Sequence, residues 1–205
     1  MKRFATNLSK TEQKYSINSV LAKNGNRCGV AVVLDGSRRN TTKALVKKGW
    51  RTQDIFIPNN SKDYAYIKRY HENTYKISLR KFLLENSSRK FRIGCIYMDY
   101  MCTLDGCKTA TQPKNDLGIL FNNQMLMDNS ALGVTFNFNR INKKDNGFSN
   151  PEMVDAISLI TSLAYSNGYV AILLNECGGH YNNNGSNMFS FVFKVYRINA
   201  ASGKK

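Results

Sequence analysis

Two aspartates close apolar runs and are the first candidates for chemistry in this sequence. Asp35 ends CGVAVVLD, residues 28–35, and Asp99 ends FRIGCIYMD, residues 91–99. Such near-continuous apolar runs are typical of strands that are buried on both faces of a parallel sheet. Open α/β sheets bind ligands outside the carboxyl ends of their strands, so both carboxylates could contact a cofactor or substrate. The alternative for each is a structural role, as a helix cap or turn former.

The turn after Asp35 reads GSRRN and leads into a predicted helix over about 41–49. The free N–H groups at the start of that helix could receive an anionic group of a ligand. Asn40, Thr41 and Thr42 are suitable residues to cap the helix. Arg38 and Arg39 could pair with a carboxylate, bind a phosphate or point into solvent.

These turns belong to a regular alternation of strands and helices. Strands are predicted near 28–35, 54–59, 74–77, 91–99, 131–138, 169–176 and 188–198, and helices near 41–49, 61–71, 78–86, after Pro113, and over 151–168. The turn-rich segment GGHYNNNGSN joins the last two strands without a helix, so these two strands must be antiparallel. The pattern predicts a doubly wound α/β sheet, mostly parallel, with an antiparallel C-terminal hairpin.

The length of 205 residues is most simply accommodated by a single domain. We expect a basic N-terminal extension over 1–27, irregular or partly helical, a single domain over 28–199, and a short basic tail over 200–205. Apolar runs of transmembrane length and signal-peptide patterns are missing from the sequence, which indicates a soluble, intracellular protein, cytoplasmic or nuclear.

The order of these elements resembles the class I S-adenosylmethionine-dependent methyltransferase fold over about residues 28–198. Three local motifs accompany it: VVLDG, IFIPN and IGCIYMDY, at the ends of the first, second and fourth strands. The resemblance implies a seven-stranded sheet of order 3-2-1-4-5-7-6 whose last strand is antiparallel. It also implies S-adenosylmethionine as the cofactor.

The resemblance implies a role for several positions. The first turn would be lined by Asp35, Gly36, Ser37 and Asn40. Asn59 would stand where the family commonly has a carboxylate that binds the ribose hydroxyls, and Ser78 would lie near the adenine. Asp99, with Tyr100, would face the methyl group and the substrate. The sequence departs from the family in its first turn, where SRRN replaces two or three glycines, and it has no DPPY-like tetrapeptide after the fourth strand.

The formal net charge of +16 is unevenly distributed. Residues 1–92 carry 21 Lys and Arg against 6 Asp and Glu, whereas residues 93–205 carry 9 against 8. This asymmetry favours a polyanionic partner, RNA or DNA, that is held through its phosphates. The candidate contacts are Arg38, Arg39, Lys47, Lys48 and Arg51. The alternative is a solvated surface encoded by an AT-rich genome, viral among the options, which the 25 asparagines also fit.

Other chemistry is less well supported by the residue patterns. Five scattered cysteines fit a reducing compartment. A zinc site from Cys102, Cys107, Cys177 and His180 lacks the tight spacing of known zinc motifs, so no metal is expected. The segment MDYMCTLDG is similar to a phosphatase nucleophile motif, but Met101 replaces its second aspartate.

Two functions therefore compete. The first is a methyltransferase that acts on nucleic acid. The second is an inactive methyltransferase-like protein that serves as a basic nucleic-acid-binding or assembly module.

Overall fold

A seven-stranded sheet forms the centre of the computed structural model, which describes residues 10–87, 91–106, 112–138, 151–183 and 186–198. Its strands are β1 (Val30–Val33), β2 (Ile55–Pro58), β3 (Thr74–Tyr75), β4 (Ile93–Asp99), β5 (Leu126–Phe138), β6 (Tyr169–Asn183) and β7 (Ser186–Arg197). The order is β3-β2-β1-β4-β5-β7-β6. Strand β7 is antiparallel to both β5 and β6, and the other pairings are parallel. The predicted fold class and strand order are thus confirmed.

Helices cover both faces of this sheet. They are α1 (Lys10–Asn24), α2 (Asn40–Lys47), α3 (Tyr64–Lys68), α4 (Leu79–Glu85), α5 (Pro113–Asn122) and α6 (Pro151–Ser166). Ile17, Leu45 and Ile67 place α1, α2 and α3 over one core, together with the inward-facing Ala31 and Val33 of β1. Helices α4, α5 and α6 pack over a second core on the opposite face, which includes Val32 of β1. The continuous apolar runs of the strands are explained by this burial on both sides.

Helix α1 falls within the segment that the sequence predicts as an N-terminal extension. Its residues Ile17 and Leu21 are fully buried, and Ala22 is nearly so. They pack in the core that α2 and α3 share. Residues 10–24 therefore contribute to the domain that was predicted to begin at residue 28. The apolar residues of α1 lie in its C-terminal half alone, so an amphipathic period is hard to recognise in KTEQKYSINSVLAKN.

A close backbone approach joins α1 to the sheet. The N–H of Asn26 donates to the carbonyl of Gly94 at 2.9 Å. A Cβ added at Gly94 would lie 1.8 Å from the carbonyl oxygen of Asn26. This position in FRIGCIYMD therefore requires glycine, because any side chain would collide with the backbone that leads into β1.

The parallel register brings the ends of three strands to one side of the sheet. Val33 of β1 pairs with Tyr97 of β4, and Val32 pairs with Phe56 of β2. We call this side, where Asp35, Asn59 and Asp99 follow the strands, the carboxyl edge. The opposite side is the amino edge, where the parallel strands begin, the antiparallel β7 ends, and helices α1, α2 and α5 end.

Candidate functional site

Asp35 lies at the end of β1 and holds the start of α2. The residue is 7% exposed. It accepts hydrogen bonds from the Thr42 N–H at 2.8 Å, the Thr42 hydroxyl at 2.7 Å and the Thr41 N–H at 3.4 Å. These N–H groups are among those that a helix leaves unpaired at its start, so Asp35 caps α2 from the preceding strand. Asn40, Thr41 and Thr42 are the first residues of this helix, and the capping side chain comes from Asp35 instead.

The pKa of Asp35 is raised above its ordinary value. Desolvation by burial is the main cause, and the hydrogen bonds from Thr42 and Thr41 oppose it. The negative charge of Asp99 raises the pKa of Asp35 further. The two carboxylates that close β1 and β4 therefore interact across the carboxyl edge. A cationic group bound between them would relieve this repulsion.

Asn59 connects the end of β2 to the end of β1. Its amide nitrogen donates to the Asp35 carbonyl at 2.8 Å. Its amide oxygen accepts from the Ser61 N–H at 2.8 Å and from the Ser61 hydroxyl at 2.6 Å. The residue is 9% exposed. Both lone pairs of the oxygen are thus used within the protein, which leaves this amide fewer groups for the ribose hydroxyls; the ribose contact that the resemblance implies for Asn59 stays a prediction.

Gly36 and Ser37 form the exposed part of the first turn. The Gly36 carbonyl accepts from the Arg39 N–H at 2.9 Å, which closes the turn. The Ser37 N–H donates to Oδ2 of Asp63 at 3.2 Å. A Cβ added at Gly36 would meet only that same oxygen, at 3.6 Å, so the approach to this backbone is open.

Asp63 is a further polar residue at this turn, and the sequence pattern does not indicate its contact with Ser37. It lies five residues after β2, in the segment NNSKD, and its N–H donates to the Ser61 hydroxyl at 3.1 Å. A run of short polar residues after a strand was the available signal. It predicts a turn that organises itself through side-chain bonds to the backbone, but not which neighbouring turn the free carboxylate contacts.

Arg39 has an unusual conformation at the start of α2. Its backbone is left-handed, with φ 50° and ψ 42°. Such a conformation is sparsely populated by residues other than glycine and is often found at functional sites. Its guanidinium lies over the Tyr70 ring, 4.6 Å from the centroid. Its Nε is buried and has no hydrogen-bond partner among the described residues. Arg38 and Asn40, on either side, are exposed.

Asp99 is half-buried at the end of β4, whereas the side chain of Tyr100 lies in the core. The Tyr100 hydroxyl donates to Oδ2 of Asp116 at 2.6 Å, and Arg80 Nε donates to Oδ1 of the same carboxylate at 3.1 Å. Burial, and then the adjacent Asp116 charge, hold the pKa of Tyr100 well above its usual value. Tyr100 is 4% exposed, and its hydroxyl is bound to the first turn of α5; a role of Tyr100 toward the methyl group and the substrate stays a prediction.

Ser78 precedes α4 and caps it. Its hydroxyl oxygen accepts from the Lys81 N–H at 3.2 Å, and its backbone is extended. The residue is exposed. This is the ordinary role of a serine at the first position of a helix. An additional role near an adenine stays a prediction.

The five cations predicted to bind nucleic acid lie at both edges. Arg38 and Arg39 lie at the carboxyl edge, where α2 begins, and Lys47 and Lys48 lie where it ends. With eight residues, α2 separates the two groups by about 12 Å along its axis. Arg51 forms a 2.6 Å ion pair with Asp54, so its charge is compensated locally.

Several other cations at the amino edge contact backbone carbonyls. Arg27 Nη1 donates to the Lys48 carbonyl at 3.2 Å. Arg92 Nη1 and Arg197 Nη2 both donate to the Gln124 carbonyl, each at 2.9 Å. Because Lys48 and Gln124 lie just after α2 and α5, these arginines satisfy carbonyls that the helices leave free and offset the negative ends of their dipoles. Part of the positive charge is thus structural.

The zinc alternative involves residues that the structure covers only partly. Cys102 is buried in the core below α5. Cys107 lies outside the described residues. The described part of the chain contains no group of three or more histidine, cysteine or acidic residues that could hold a metal. Among the described residues, none of the helices has both the length and the hydrophobicity of a membrane span.

Comparison of the sequence with protein families and with curated proteins finds no match. The structure, by contrast, is similar to solved structures. TYW2 from M. jannaschii, in complex with AdoMet, matches with a TM-score of 0.52 and 15% identity over 91% of this chain and 77% of that one. Trm5b from Pyrococcus abyssi matches with a TM-score of 0.54 and 9% identity over 93% of this chain and 51% of that one. The N-methyltransferase NodS from Bradyrhizobium japonicum WM9 matches with a TM-score of 0.54 and 10% identity, over 93% of this chain and the whole of that one.

At these identities, the likeness concerns the fold. The chain spans between half and about three quarters of the length of the two archaeal structures. The predicted resemblance to the S-adenosylmethionine-dependent methyltransferase fold is confirmed, together with its strand order.

Proposed function

We propose that this chain is an S-adenosylmethionine-dependent methyltransferase that acts on nucleic acid. The observation that carries the proposal is the pair of carboxylates, Asp35 and Asp99, at the ends of adjacent strands β1 and β4. Such a switch point is where open α/β sheets bind ligands. S-adenosylmethionine carries a sulfonium and an ammonium group, so this pair of carboxylates suits it. One protein of similar fold was crystallised with this cofactor.

The residues at this edge would divide the binding between them. Asp99 would accept hydrogen bonds from the cofactor, and Gly36 would let the backbone of the first turn come close. Ser37 and Asn40 would add polar groups along the same turn, with Asp35 and Asn59 holding the turn in place from below. Ser78 would border the adenine. Tyr100, anchored on Asp116, would fix the position of the adjacent Asp99.

When bound, S-adenosylmethionine supplies a methyl group that is already activated by the sulfonium. The protein would therefore act chiefly by positioning, which aligns the acceptor atom with the methyl carbon and the departing sulfur. Exclusion of water and a fixed Asp99 would serve this alignment.

Nucleic acid is the proposed substrate because of the charge of +16 and its concentration in residues 1–92. Arg38 and Arg39 would contact phosphates beside the cofactor turn. Lys47 and Lys48 at the end of α2, and Arg51 just after it, would contact phosphates further along the nucleic acid. Phosphate contacts of this kind do not depend on the nucleotide sequence, and they weaken as salt is added.

Calorimetric titration with S-adenosylmethionine and with S-adenosylhomocysteine tests the proposal. We expect saturable binding that is reduced at least tenfold by Asp99→Asn and by Gly36→Ala. The second variant is informative because a Cβ fits at Gly36 within the protein and would obstruct only a ligand. The control is Gly118→Ala on α5, where a Cβ contacts nothing within 4 Å. A folded protein that binds neither compound would overturn the assignment of the cofactor.

The second candidate is an inactive methyltransferase-like protein that binds nucleic acid or serves in an assembly. It is favoured by the number of polar groups at the first turn that already have partners. The carboxylate of Asp35 is bound by Thr41 and Thr42, the Ser37 N–H by Asp63, and the amide of Asn59 by Ser61. Nucleic-acid binding without cofactor binding in the same preparation would support this function instead.

A further inference from the structure

Two exposed tyrosines and one arginine form a small surface beside the first turn. Tyr66 and Tyr70 are 46% and 55% exposed, and their ring centroids lie 5.1 Å apart. The guanidinium of Arg39 covers the Tyr70 ring. We call Arg39, Tyr66 and Tyr70 the tyrosine platform.

Packing does not explain the platform. The residue of α3 that enters the core is Ile67, which is fully buried. Tyr66 and Tyr70 lie on either side of it and keep about half of their surface in water. Large exposed aromatic rings that contact each other are unusual on a surface without a partner.

Arg39 adds a second observation. It occupies a left-handed backbone conformation, and its buried Nε lacks a hydrogen-bond partner among the described residues. Each of these features costs free energy, and strain of this kind concentrates at binding sites. The observed benefit is a cation–π contact with one face of the Tyr70 ring, which holds the guanidinium beside the two tyrosines.

The charge around the platform favours an anionic partner. Within residues 36–43 and 61–70, one carboxylate, that of Asp63, accompanies Arg39 and several exposed cations. These cations are Arg38, Lys43, Lys62, Lys68 and Arg69. Flat aromatic rings among cations are the combination with which proteins hold single-stranded nucleic acids, since bases stack on rings and phosphates meet cations.

We propose that the tyrosine platform binds an unpaired nucleobase of a single-stranded nucleic acid. This inference rests on the proposed function, because it names the part of the substrate that lies beside the cofactor turn. Arg39 belongs both to the platform and to the turn that begins at Gly36, so a base stacked there would place its strand at the carboxyl edge. A base inside a duplex is already stacked on its neighbours and would not be available.

Fluorescence anisotropy with short labelled oligonucleotides tests this inference. Three probes of equal length are compared: a single strand, its duplex, and an abasic strand that keeps the phosphates but has no bases. For the wild-type protein, we expect the single strand to bind more tightly than the other two. The double variant Tyr66→Ala and Tyr70→Ala should weaken single-strand binding about tenfold or more and leave abasic binding nearly unchanged.

Two controls keep the result specific. Tyr66→Phe with Tyr70→Phe retains the rings, so it should bind the single strand as the wild type does. Tyr165→Ala removes a tyrosine that is 74% exposed on α6, over the opposite face of the sheet, and should have no effect on any probe. An equal loss on the single strand and the abasic strand would overturn the inference, as would an unchanged affinity of the double alanine variant.

The same variants separate this inference from the function on which it rests. If the wild type binds no S-adenosylmethionine but its single-strand binding depends on the two rings, the methyltransferase assignment fails and the platform remains. If cofactor binding is intact in the double alanine variant and single-strand affinity is unchanged, the platform alone is excluded. Absence of binding to every probe would overturn the platform and the nucleic-acid substrate together.

Discussion

The two edges of the sheet both carry arginines, but they use them in different ways. At the amino edge, Arg27, Arg92 and Arg197 donate to backbone carbonyls near the ends of α2 and α5. At the carboxyl edge, Arg39 stacks on a tyrosine instead. The difference follows from the topology, since helices end at one edge and begin at the other. A large positive charge thus indicates nucleic-acid binding only after the cations that stabilise helix ends have been set apart.

The largest expected effect comes from the amino edge, at Gly94. Gly94→Ala should destabilise the protein by about 3 kcal/mol or more, because its Cβ would collide with backbone and not with a movable side chain. Urea unfolding of the variant measures this loss. Gly118→Ala is the matched control and should be neutral or slightly stabilising, since it replaces an unobstructed helical glycine. Equal stability of the two variants would contradict the close approach between β4 and Asn26.

At the carboxyl edge, Asp35→Asn should lower the free energy of unfolding by about 1–2 kcal/mol at acidic pH, because it disturbs the hydrogen bonds that Asp35 accepts from Thr42. This difference in unfolding free energy between the wild type and the variant should become smaller as pH rises. Burial raises the pKa of Asp35 in the folded protein, so protonation favours the folded state. That stabilisation is complete below the unfolded pKa of about 4 and is lost as pH rises through the higher folded pKa.

Urea unfolding of the wild type and of Asp35→Asn across this pH range measures the difference. Asp99→Asn serves as the companion variant, because the Asp99 charge contributes to the raised pKa of Asp35. It should shift the wild-type pH dependence toward lower pH. A cost of Asp35→Asn that grows with pH would show that the hydrogen bonds outweigh burial and that the pKa of Asp35 is lowered.

The third prediction separates binding cations from structural ones. Lys47→Gln with Lys48→Gln should weaken nucleic-acid binding severalfold and reduce the slope of log affinity against log salt by about two, one for each lost phosphate contact. Stability should change little, since both side chains are exposed. Anisotropy titrations over a range of salt concentrations measure the slope.

Arg27→Gln is the contrasting variant. Arg27 lies at the same edge and donates to the Lys48 carbonyl. Its Nη1 is also the atom nearest to a Cβ built at Gly49. We expect a loss of about 0.5–1 kcal/mol in stability and a smaller change in salt slope than the two lysine substitutions produce together. If the lysine variant has an unchanged slope, α2 does not contact the nucleic acid at its end.

The sequence predicted the strands of the sheet well because strand burial depends on local patterns, whereas the order of the strands followed from the resemblance to a known fold. Runs such as CGVAVVLD specify burial on both faces without reference to the rest of the chain. The position of Asp35 at a strand end followed in the same way. The hydrogen-bond partners of Asp35 could not be predicted from this pattern, because a carboxylate in that position can cap a helix or contact a ligand with the same residues around it.

Features that depend on contacts between distant segments were not predictable in this way. The hydroxyl of Tyr100 is bonded to Asp116, 16 residues away, and Asp63 reaches the Ser37 N–H over 26 residues. The exposure of Tyr66 and Tyr70 also required the structure. Their spacing of four residues fits a core-facing stripe as well as an exposed one. In the structure, Ile67 between them enters the core, so the two tyrosines remain exposed.

The smallest expected effect concerns Arg51, the cation of the predicted nucleic-acid set that is already paired. Arg51→Gln should change stability by less than about 0.5 kcal/mol, because its side chain is 72% exposed and surface ion pairs contribute little. It should also change the salt slope less than either lysine does alone, since Asp54 remains next to any phosphate bound there and would repel it. Asp54→Asn should have the opposite effect: it releases Arg51 from its ion pair, so nucleic-acid affinity should increase slightly. A full unit of slope lost in Arg51→Gln would instead mean that the ion pair opens when the nucleic acid binds, and that the amino edge contributes more binding cations than its bonds to backbone carbonyls indicate.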